Sequence, residues 1–370
     1  MVTPAYLLFE KAKQQFLQFK PSEYVFGPSS EIFVGRMGYP NLAVGPLVGL
    51  ENMVASPKEL FGMDYADIIA RQTSLVRGKK KASVNSRMQT DMKEVALSSR
   101  AIDVEMELTK RPYFDLKTDG ILQTMGASAP IKKFAQAENP KIPKKVDSII
   151  GEKLTATEAI AELTAHGFDN YYATNILAVG ALGMDETKRL VPTRWSITAV
   201  DDIIAKQRME RIRGYMEINE VSLYSSSFLD NHFHVLLMPG KWEFENFESW
   251  PEGGAWAGTN EEYEGYHGRT KYAEKQVGGY YASRFAVTEY LDLIRRQAKV
   301  VVFREIGEGY VAPVGVWQVR ENVRHALAGD QMKFGSTNEA LAFLSTKLNV
   351  KMKKYFSMSR ILCQRRLSEF

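Results

Sequence analysis

The sequence contains a single cysteine, Cys363, among 370 residues. One cysteine excludes a disulfide within the chain and any structural zinc site that needs several cysteines. An excess of charge is also missing, because the net charge is only +4 at pH 7. No apolar run reaches the roughly 18 residues of a membrane span, and residues 1–13 lack the charged-then-apolar order of a secretory signal. We therefore expect a soluble, cytoplasmic protein that does not associate with membranes.

The standard sequence motifs of enzyme chemistry are absent as well. The chain has no Gly-x-x-x-x-Gly-Lys-Ser/Thr phosphate loop, no Gly-x-Gly-x-x-Gly dinucleotide fingerprint and no Gly-x-Ser-x-Gly nucleophile elbow. No ordinary kinase, dehydrogenase or hydrolase is therefore indicated. The composition, 45% hydrophobic and 25% charged, is that of a globular protein with a large core.

Helix, strand and hairpin patterns follow one another without regular alternation. This order favours an α+β fold, with a mixed and largely antiparallel sheet packed by helices, over a doubly wound sheet. We expect residues 1–350 to form one large globular body. If this body has a mobile loop, residues 118–145 are the expected place, because they are rich in glycine, alanine, lysine and proline. Residues 351–370 are expected to form a flexible, basic tail.

Two hairpins are predicted. In the first, a short strand-like run within residues 29–40 enters a glycine turn and residues 41–47 form the second strand, so that the loop presents Arg36 and Tyr39. In the second, runs at 220–228 and 232–238 flank the turn residues Leu229-Asp230-Asn231. Further along the chain, the patterns predict a helix from Tyr281, a buried strand over 299–303 and a strand over 314–319 that holds Trp317.

Basic residues are concentrated in two segments on either side of an acidic, aromatic block at 243–264. The first segment, expected to be a loop, holds Arg77, Lys79, Lys80 and Lys81, and the second holds Lys351, Lys353 and Lys354. Such asymmetry indicates that one face binds phosphates while another repels them. These seven residues are our candidate phosphate contacts. The alternative is a solvated surface without a partner.

The segment from Leu190 to Asp202 is unusual for a core sequence. It places Arg194, Trp195, Ser196 and the adjacent acids Asp201 and Asp202 within nine residues. Pro192 favours an extended start, after which Ser196 or Thr198 is expected to cap a helix that continues to Ile212. A guanidinium beside an indole near a helix start is typical of an anion or nucleotide site. The alternative is a buried Arg–Asp pair with Trp195 in the core.

The second strand of the second hairpin places His232 and His234 on one face. With Asp230 or His267, these histidines have the ligand types of a metal site. No third ligand is fixed by spacing, so we predict no metal. The alternative is a pair of histidines that are hydrogen-bonded or exposed at the surface.

Titratable side chains are dense between Arg194 and Arg324, which is typical of functional sites. They support an alternative hypothesis of an enzyme that acts on a nucleotide or nucleic acid, by phosphate or glycosidic chemistry. A third possibility is an adaptor protein in which these side chains form a buried polar network. The candidate ligand or catalytic residues are Arg194, Trp195, Ser196, Asp201, Asp202, His232, His234, Glu243, Arg269, Lys271 and Arg284.

The last residues, Gln364-Arg365-Arg366-Leu367-Ser368-Glu369-Phe370, follow the pattern of a peptide that binds the sliding clamp (PCNA). A glutamine is followed three residues later by an aliphatic residue and three after that by an aromatic one. In a short helical turn, Leu367 and Phe370 would fill one apolar pocket while Gln364 forms a hydrogen bond beside it. The second aromatic of many such peptides is missing after Phe370, so we expect a reduced affinity.

Several longer strings resemble the archaeal Nre DNA repair proteins. They are residues 191–202, Asn231–Gly240 followed by Trp242-Glu243, Gly278-Gly279-Tyr280-Tyr281, and residues 313–321. The resemblance extends from about Gly35 to the end and implies a nucleoid-associated DNA repair factor that binds the sliding clamp through its C-terminal peptide. It makes Gln364, Leu367 and Phe370 the clamp contacts. Some relatives begin with a cysteine-rich zinc segment, whereas this chain resembles the branch that lacks it.

Overall fold

The computed structural model describes residues 5–50, 54–252 and 257–363. These residues divide into two compact units. The N-terminal unit comprises residues 5–204 and 312–315, and the C-terminal unit comprises 205–311 and 316–363. Within the described ranges, no helix is both long and apolar enough to cross a membrane.

The first part of the chain supplies the elements of the N-terminal unit. In chain order they are α1 (Ala5–Gln18), β1 (Tyr24–Ser29), β2 (Glu31–Val34), β3 (Asn41–Gly49), α2 (Pro57–Leu60), α3 (Tyr65–Thr73), β4 (Leu75–Ser83), α4 (Thr90–Leu97), β5 (Ile102–Leu108), β6 (Tyr113–Lys117), β7 (Met125–Gln136), α5 (Lys144–Gly151), α6 (Ala156–Ala165), α7 (Asn170–Ala178) and the first residues of α8 (Thr193–Ile212). The strands form a seven-stranded sheet in the order β1-β5-β7-β4-β3-β2, with β6 also paired to β7. Only β4 and β7 among these pairs run parallel.

The C-terminal unit is built on a six-stranded sheet. After the end of α8 come β8 (Val221–Phe228), β9 (Asn231–Met238), β10 (Glu243–Trp250), β11 (Gly258–Glu264), α9 (Gly278–Leu293), β12 (Lys299–Ile306), α10 (Trp317–Ala328), β13 (Met332–Phe334), α11 (Thr337–Ser345) and α12 (Met352–Met358). The strand order is β11-β10-β12-β9-β8-β13, in which β10 and β12 run parallel. Helix α9 contacts β10, and helix α10 contacts β8 and β9. The rings of Phe247, Phe303 and Tyr355 pack together with centroids 5.0–5.5 Å apart.

Both units confirm the predicted α+β class with largely antiparallel sheets, and several predicted elements are confirmed with it. The two hairpins are β2–β3 and β8–β9. The buried strand expected at 299–303 is β12, which continues to Ile306. The C-terminal helix α12 buries Tyr355 completely, although this range was expected to be a flexible tail.

Three local predictions differ from the structure. The basic residues 77–81 form part of strand β4 rather than a loop, because their backbone pairs with β3 on one side and β7 on the other. Helix α8 begins at Thr193, before the predicted caps Ser196 and Thr198. Trp317 begins helix α10 instead of lying in a strand. In the range considered for a mobile loop, the 12-residue strand β7 pairs with β4, β5 and β6.

Candidate nucleic-acid interface

One face of the N-terminal sheet carries a cluster of cations on β4. Side chains of a strand alternate between the two faces of a sheet, so Arg77, Lys79 and Lys81 share one face while Lys80 lies on the other. Lys80 donates a hydrogen bond to Gln89 Oε1 (3.2 Å). Register pairs Lys81 with Ala43 and Arg77 with Leu47. The alternation of side chains along β4 thus places the consecutive basic residues of the sequence on two different faces of the sheet.

Arg77 is the most confined of these cations. Its Nη2 donates to the carbonyl oxygen of Ala43 (3.1 Å), and its guanidinium lies 3.9 Å from the centroid of the Phe33 ring. Within the described ranges no carboxylate lies within 4 Å of it, and its buried Nε has no hydrogen-bond partner. Burial lowers the pKa of Arg77 to about 10. A guanidinium presents a planar set of donors suited to carboxylate or phosphate oxygens, and here no carboxylate of the described residues matches it.

Lys79 is surrounded by like charges. Burial is the largest cause that lowers its pKa, followed by the nearby charges of Arg77 and Lys117, while Asp115 acts in the opposite direction and Lys110 adds to the lowering. Asp115 itself pairs with Lys117 (3.2 Å). Sequence reasoning overlooked Lys110 and Lys117. The alternation of apolar and charged side chains over residues 113–117 was the available sequence signal for Lys117. In the structure, Tyr113 pairs with Ser128 of β7, and Ser128 in turn pairs with Arg77.

The segment after Leu190 lies beside this sheet face. Val34 N donates to Thr193 Oγ1 (2.9 Å), and Ile197 packs against the buried cluster of Phe33, Leu47 and Leu122. Arg194 Nε donates to both carboxylate oxygens of Asp119 (3.2 and 3.1 Å). The predicted Arg–Asp pair therefore exists with a different acid.

The other residues of that segment have separate environments. Trp195 is 43% exposed, so it is not a core residue, and its ring centroid lies 5.5 Å from that of Tyr39. Ser196 is fully buried and donates to the Val191 carbonyl (3.4 Å). Asp201 is buried and Asp202 is partly buried, both inside α8.

The remaining candidates lie in the C-terminal unit, where many charges are buried in ion pairs. Arg284 Nη1 lies 2.5 Å from Glu264 Oε2, with both side chains fully buried, and Tyr280 also donates to Glu264 (3.1 Å). Arg304, which sequence reasoning missed, pairs with Glu248 (2.6 Å) and donates to Asn231 Oδ1 (2.6 Å). These guanidinium groups already have anionic or amide partners.

Arg269 and Glu243 are also paired, and Lys271 is exposed. Arg269 Nη1 lies 2.8 Å from Glu262 Oε2, and its Nε donates to the carbonyl of Lys271 (2.8 Å). Glu243 pairs with Lys299 (2.8 Å) and accepts a hydrogen bond from Tyr263 (2.9 Å). Mutual ion pairing of this kind is typical of a structural polar network rather than of an open ligand pocket.

The histidine pair follows the hydrogen-bonded alternative. His234 Nδ1 and Ser225 Oγ share a hydrogen bond (2.8 Å), and burial lowers the pKa of His234 to about 4. His232 bonds to Ser227 Oγ (2.8 Å) and to Asp230 Oδ1 (3.0 Å). Over the described residues, no group of three His, Cys, Asp or Glu side chains has the arrangement of a metal site.

The second basic segment is partly structured. Lys351 precedes α12 and Lys353 and Lys354 lie in its first turn, all three exposed. Gln364, Leu367 and Phe370, the predicted clamp contacts, lie outside the described residues.

Comparisons with known proteins assign nearly the whole chain to one family. The family model "Archaeal Nre, N-terminal" matches residues 3–257, and "Archaeal Nre, C-terminal" matches residues 264–370. The chain is 36% identical to "DNA repair protein NreA" of Haloferax volcanii over 349 residues, which cover 88% of this chain and 83% of that protein.

Two proteins of Archaeoglobus fulgidus are similar to the same extent. Its "DNA repair protein NreA" is 35% identical, covering 92% of this chain and 89% of the relative, and its "DNA repair protein NreB" is 34% identical, covering 92% and 90%. No solved structure matches the chain. Two family models that together span nearly all residues, and relatives above 30% identity over most of their length, lead to one assignment. The chain belongs to the archaeal Nre family.

Proposed function

We propose that this protein is a DNA repair factor that binds DNA phosphates through the face of β4 carrying Arg77, Lys79 and Lys81. The repair role follows from the relatives, which are named DNA repair proteins. The observation that carries the DNA contact is the environment of Arg77, a desolvated guanidinium without a carboxylate within 4 Å in the described ranges. Lys79 stands beside it among further cations.

The electrostatics of this face favour a polyanion over a single small anion. Arg77, Lys117 and Lys110 are close enough to lower the pKa of Lys79, and Lys81 lies along the same face of β4. Each phosphate that these groups neutralise releases bound counterions from DNA, so the affinity falls with salt concentration. Lys351, Lys353 and Lys354 are proposed as a second group of phosphate contacts.

A titration of labelled duplex DNA by fluorescence anisotropy, at several salt concentrations, tests the β4 contact. Lys79→Ala/Lys81→Ala is expected to weaken binding more than about tenfold at low salt and to reduce the salt slope by about 2, since each lost phosphate contact contributes about 0.9. The matched control is Lys11→Ala/Lys13→Ala, which removes two exposed lysines of α1 in the same unit. The control should bind as the wild type does.

Two outcomes would overturn the proposal. If the wild type shows no binding at low salt, the DNA contact is wrong. If the β4 variant and the α1 control lose affinity equally, β4 is not the binding face. The triple variant Lys351→Ala/Lys353→Ala/Lys354→Ala tests the second group in the same titration.

We further propose that Gln364, Leu367 and Phe370 bind the sliding clamp (PCNA). The support is the spacing of these residues in the sequence. Leu367→Ala/Phe370→Ala should eliminate clamp binding in calorimetry, because both apolar contacts are lost, whereas Ser368→Ala between them should bind as the wild type does. Unchanged binding of the double variant would exclude this peptide as the contact.

A further inference from the structure

Two large aromatic side chains of the N-terminal unit are exposed side by side. Tyr39 is 51% exposed and Trp195 is 43% exposed, with ring centroids 5.5 Å apart and planes tilted by 52°. Met37, on the same loop as Tyr39, is 80% exposed. Single exposed aromatics are common on protein surfaces, whereas adjacent ones form a continuous apolar surface that a partner can cover.

Contacts of the backbone and of neighbouring residues position the two segments that carry these rings. Tyr39 lies in the β2–β3 hairpin loop, where Gly38 has a φ of +85° and its carbonyl accepts a hydrogen bond from Asn41 N (2.8 Å). Trp195 lies in the first turn of α8, which Thr193 and Ile197 attach to β2 and to the core beneath it. The backbone that carries each ring is therefore held by contacts within the fold.

The aromatic pair borders the cations of β4. Gly35 N and Arg77 Nη2 both donate to the carbonyl of Ala43, so the base of the Tyr39 loop and the Arg77 guanidinium meet at one oxygen atom. Lys81 is the register partner of Ala43. Arg36 is exposed on the same loop. Asp119, an acid near Trp195, is neutralised by Arg194.

Aromatic rings next to a row of cations match the chemistry of unpaired nucleic acid. Bases that are not stacked in a duplex expose their faces, and these stack on aromatic side chains while lysine and arginine hold the adjacent phosphates. Bases inside a duplex are already stacked and do not offer such faces. The tilt of the two rings, together with their exposure, leaves each ring with surface for a base.

We propose that Tyr39 and Trp195 form a stacking platform for unpaired bases of DNA, either single-stranded or unstacked at a damaged site. This inference rests on the proposed function, because β4 supplies the phosphate contacts. Beyond the phosphate contacts, it specifies that the protein prefers unpaired DNA. Single-stranded DNA should bind more tightly than duplex DNA, and the difference should depend on these two rings.

Anisotropy titrations of labelled oligothymidine and of a duplex of equal length test the platform. Tyr39→Ala/Trp195→Ala should weaken oligothymidine binding about tenfold or more, with duplex binding changed less than twofold. Tyr39→Phe/Trp195→Phe, which keeps two rings, should retain most of the affinity. The control is Tyr24→Ala, which removes an aromatic side chain that is 54% exposed but lies beside Glu105.

The outcomes separate this inference from the proposed function. Equal loss of oligothymidine and duplex affinity in the alanine variant, or no loss of either, would overturn the platform, and duplex binding by the wild type would still support the β4 contact. Absence of binding to either DNA by the wild type would overturn both. A thermal melt of each variant shows that it is folded, since both rings are exposed and their removal should hardly change the midpoint.

Discussion

Cationic side chains have opposite surroundings in the two units of this protein. In the C-terminal unit, Arg284 and Arg304 are buried, and each faces a carboxylate, at 2.5 and 2.6 Å. In the N-terminal unit, Arg77 has only a carbonyl and a ring as partners, and Lys79 lies among cations. A buried pair is satisfied within the fold, so its removal costs stability. A cluster in which cations outnumber acids destabilises the fold slightly, and an anionic ligand would balance it.

The largest expected effect follows from breaking a pair in the C-terminal unit. Arg284→Met would leave the Glu264 carboxylate fully buried without its cation, at a cost of about 3–5 kcal/mol in the free energy of unfolding. Urea unfolding measures this loss. Arg211→Met is the matched control, because Arg211 forms a more exposed pair with Asp292 (2.5 Å) and should cost less than about 1 kcal/mol.

The double variant Arg284→Met/Glu264→Met sharpens the same test. It removes both charges and should recover much of the loss, since buried pairs are often replaceable by apolar side chains. If Arg284→Met and Arg211→Met had equal small effects, the assignment of a structural role to the buried pair would be wrong.

Glu245 is a buried carboxyl group whose hydrogen-bond donors are neutral, so its environment differs from those of both the paired arginines and the β4 cations. It accepts hydrogen bonds from Ser359 Oγ and from Arg360 N (2.7 Å), and burial raises its pKa to about 7 from an ordinary value of 4.5. Between pH 4.5 and about 7, the Glu245 carboxyl is therefore protonated in the folded protein and ionised in the unfolded chain. The resulting stabilisation is complete below pH 4.5 and is lost as the pH rises through 7.

Comparison with Glu245→Gln isolates this titration. The glutamine does not ionise, so the stability of the wild type relative to this variant should fall by roughly 3 kcal/mol between pH 5 and pH 8, from 1.36 kcal/mol per pKa unit. Chemical unfolding at several pH values measures the difference. A difference that stays constant with pH would show that the carboxyl is ionised throughout.

Local patterns predicted the elements of this fold better than the partners of its side chains. The hairpin β8–β9 follows from alternation and turn residues within one segment, and it is confirmed. Arg194 was expected to pair with a nearby acid, but its partner, Asp119, lies 75 residues away and is brought close only by the tertiary fold. The same limit applies to Tyr39 and Trp195, which local spacing does not connect.

The strand position of residues 77–81 shows a second limit. Glycine and four cations in five residues are typical of an exposed loop, yet β3 and β7 on either side satisfy their backbone hydrogen bonds. The pleat then separates Lys80 from Lys79 and Lys81. The density of charge in the sequence therefore indicated a basic segment. Which of its side chains share a face of the sheet could be assigned only from the strand register.

The smallest expected effect on stability concerns Lys79 and has the opposite sign. Burial and the charges of Arg77 and Lys117 disfavour its ammonium group, so Lys79→Met should leave the free energy of unfolding unchanged or raise it slightly. The same change should weaken DNA binding and reduce the salt slope by about 0.9. Lys13→Met, an exposed lysine of α1, is the control and should change neither quantity. A substitution that stabilises the fold while it weakens binding is the behaviour of a residue retained for its ligand. A loss of stability in Lys79→Met would instead show that this cation, like Arg284, serves the fold, and the contrast between the two units would disappear.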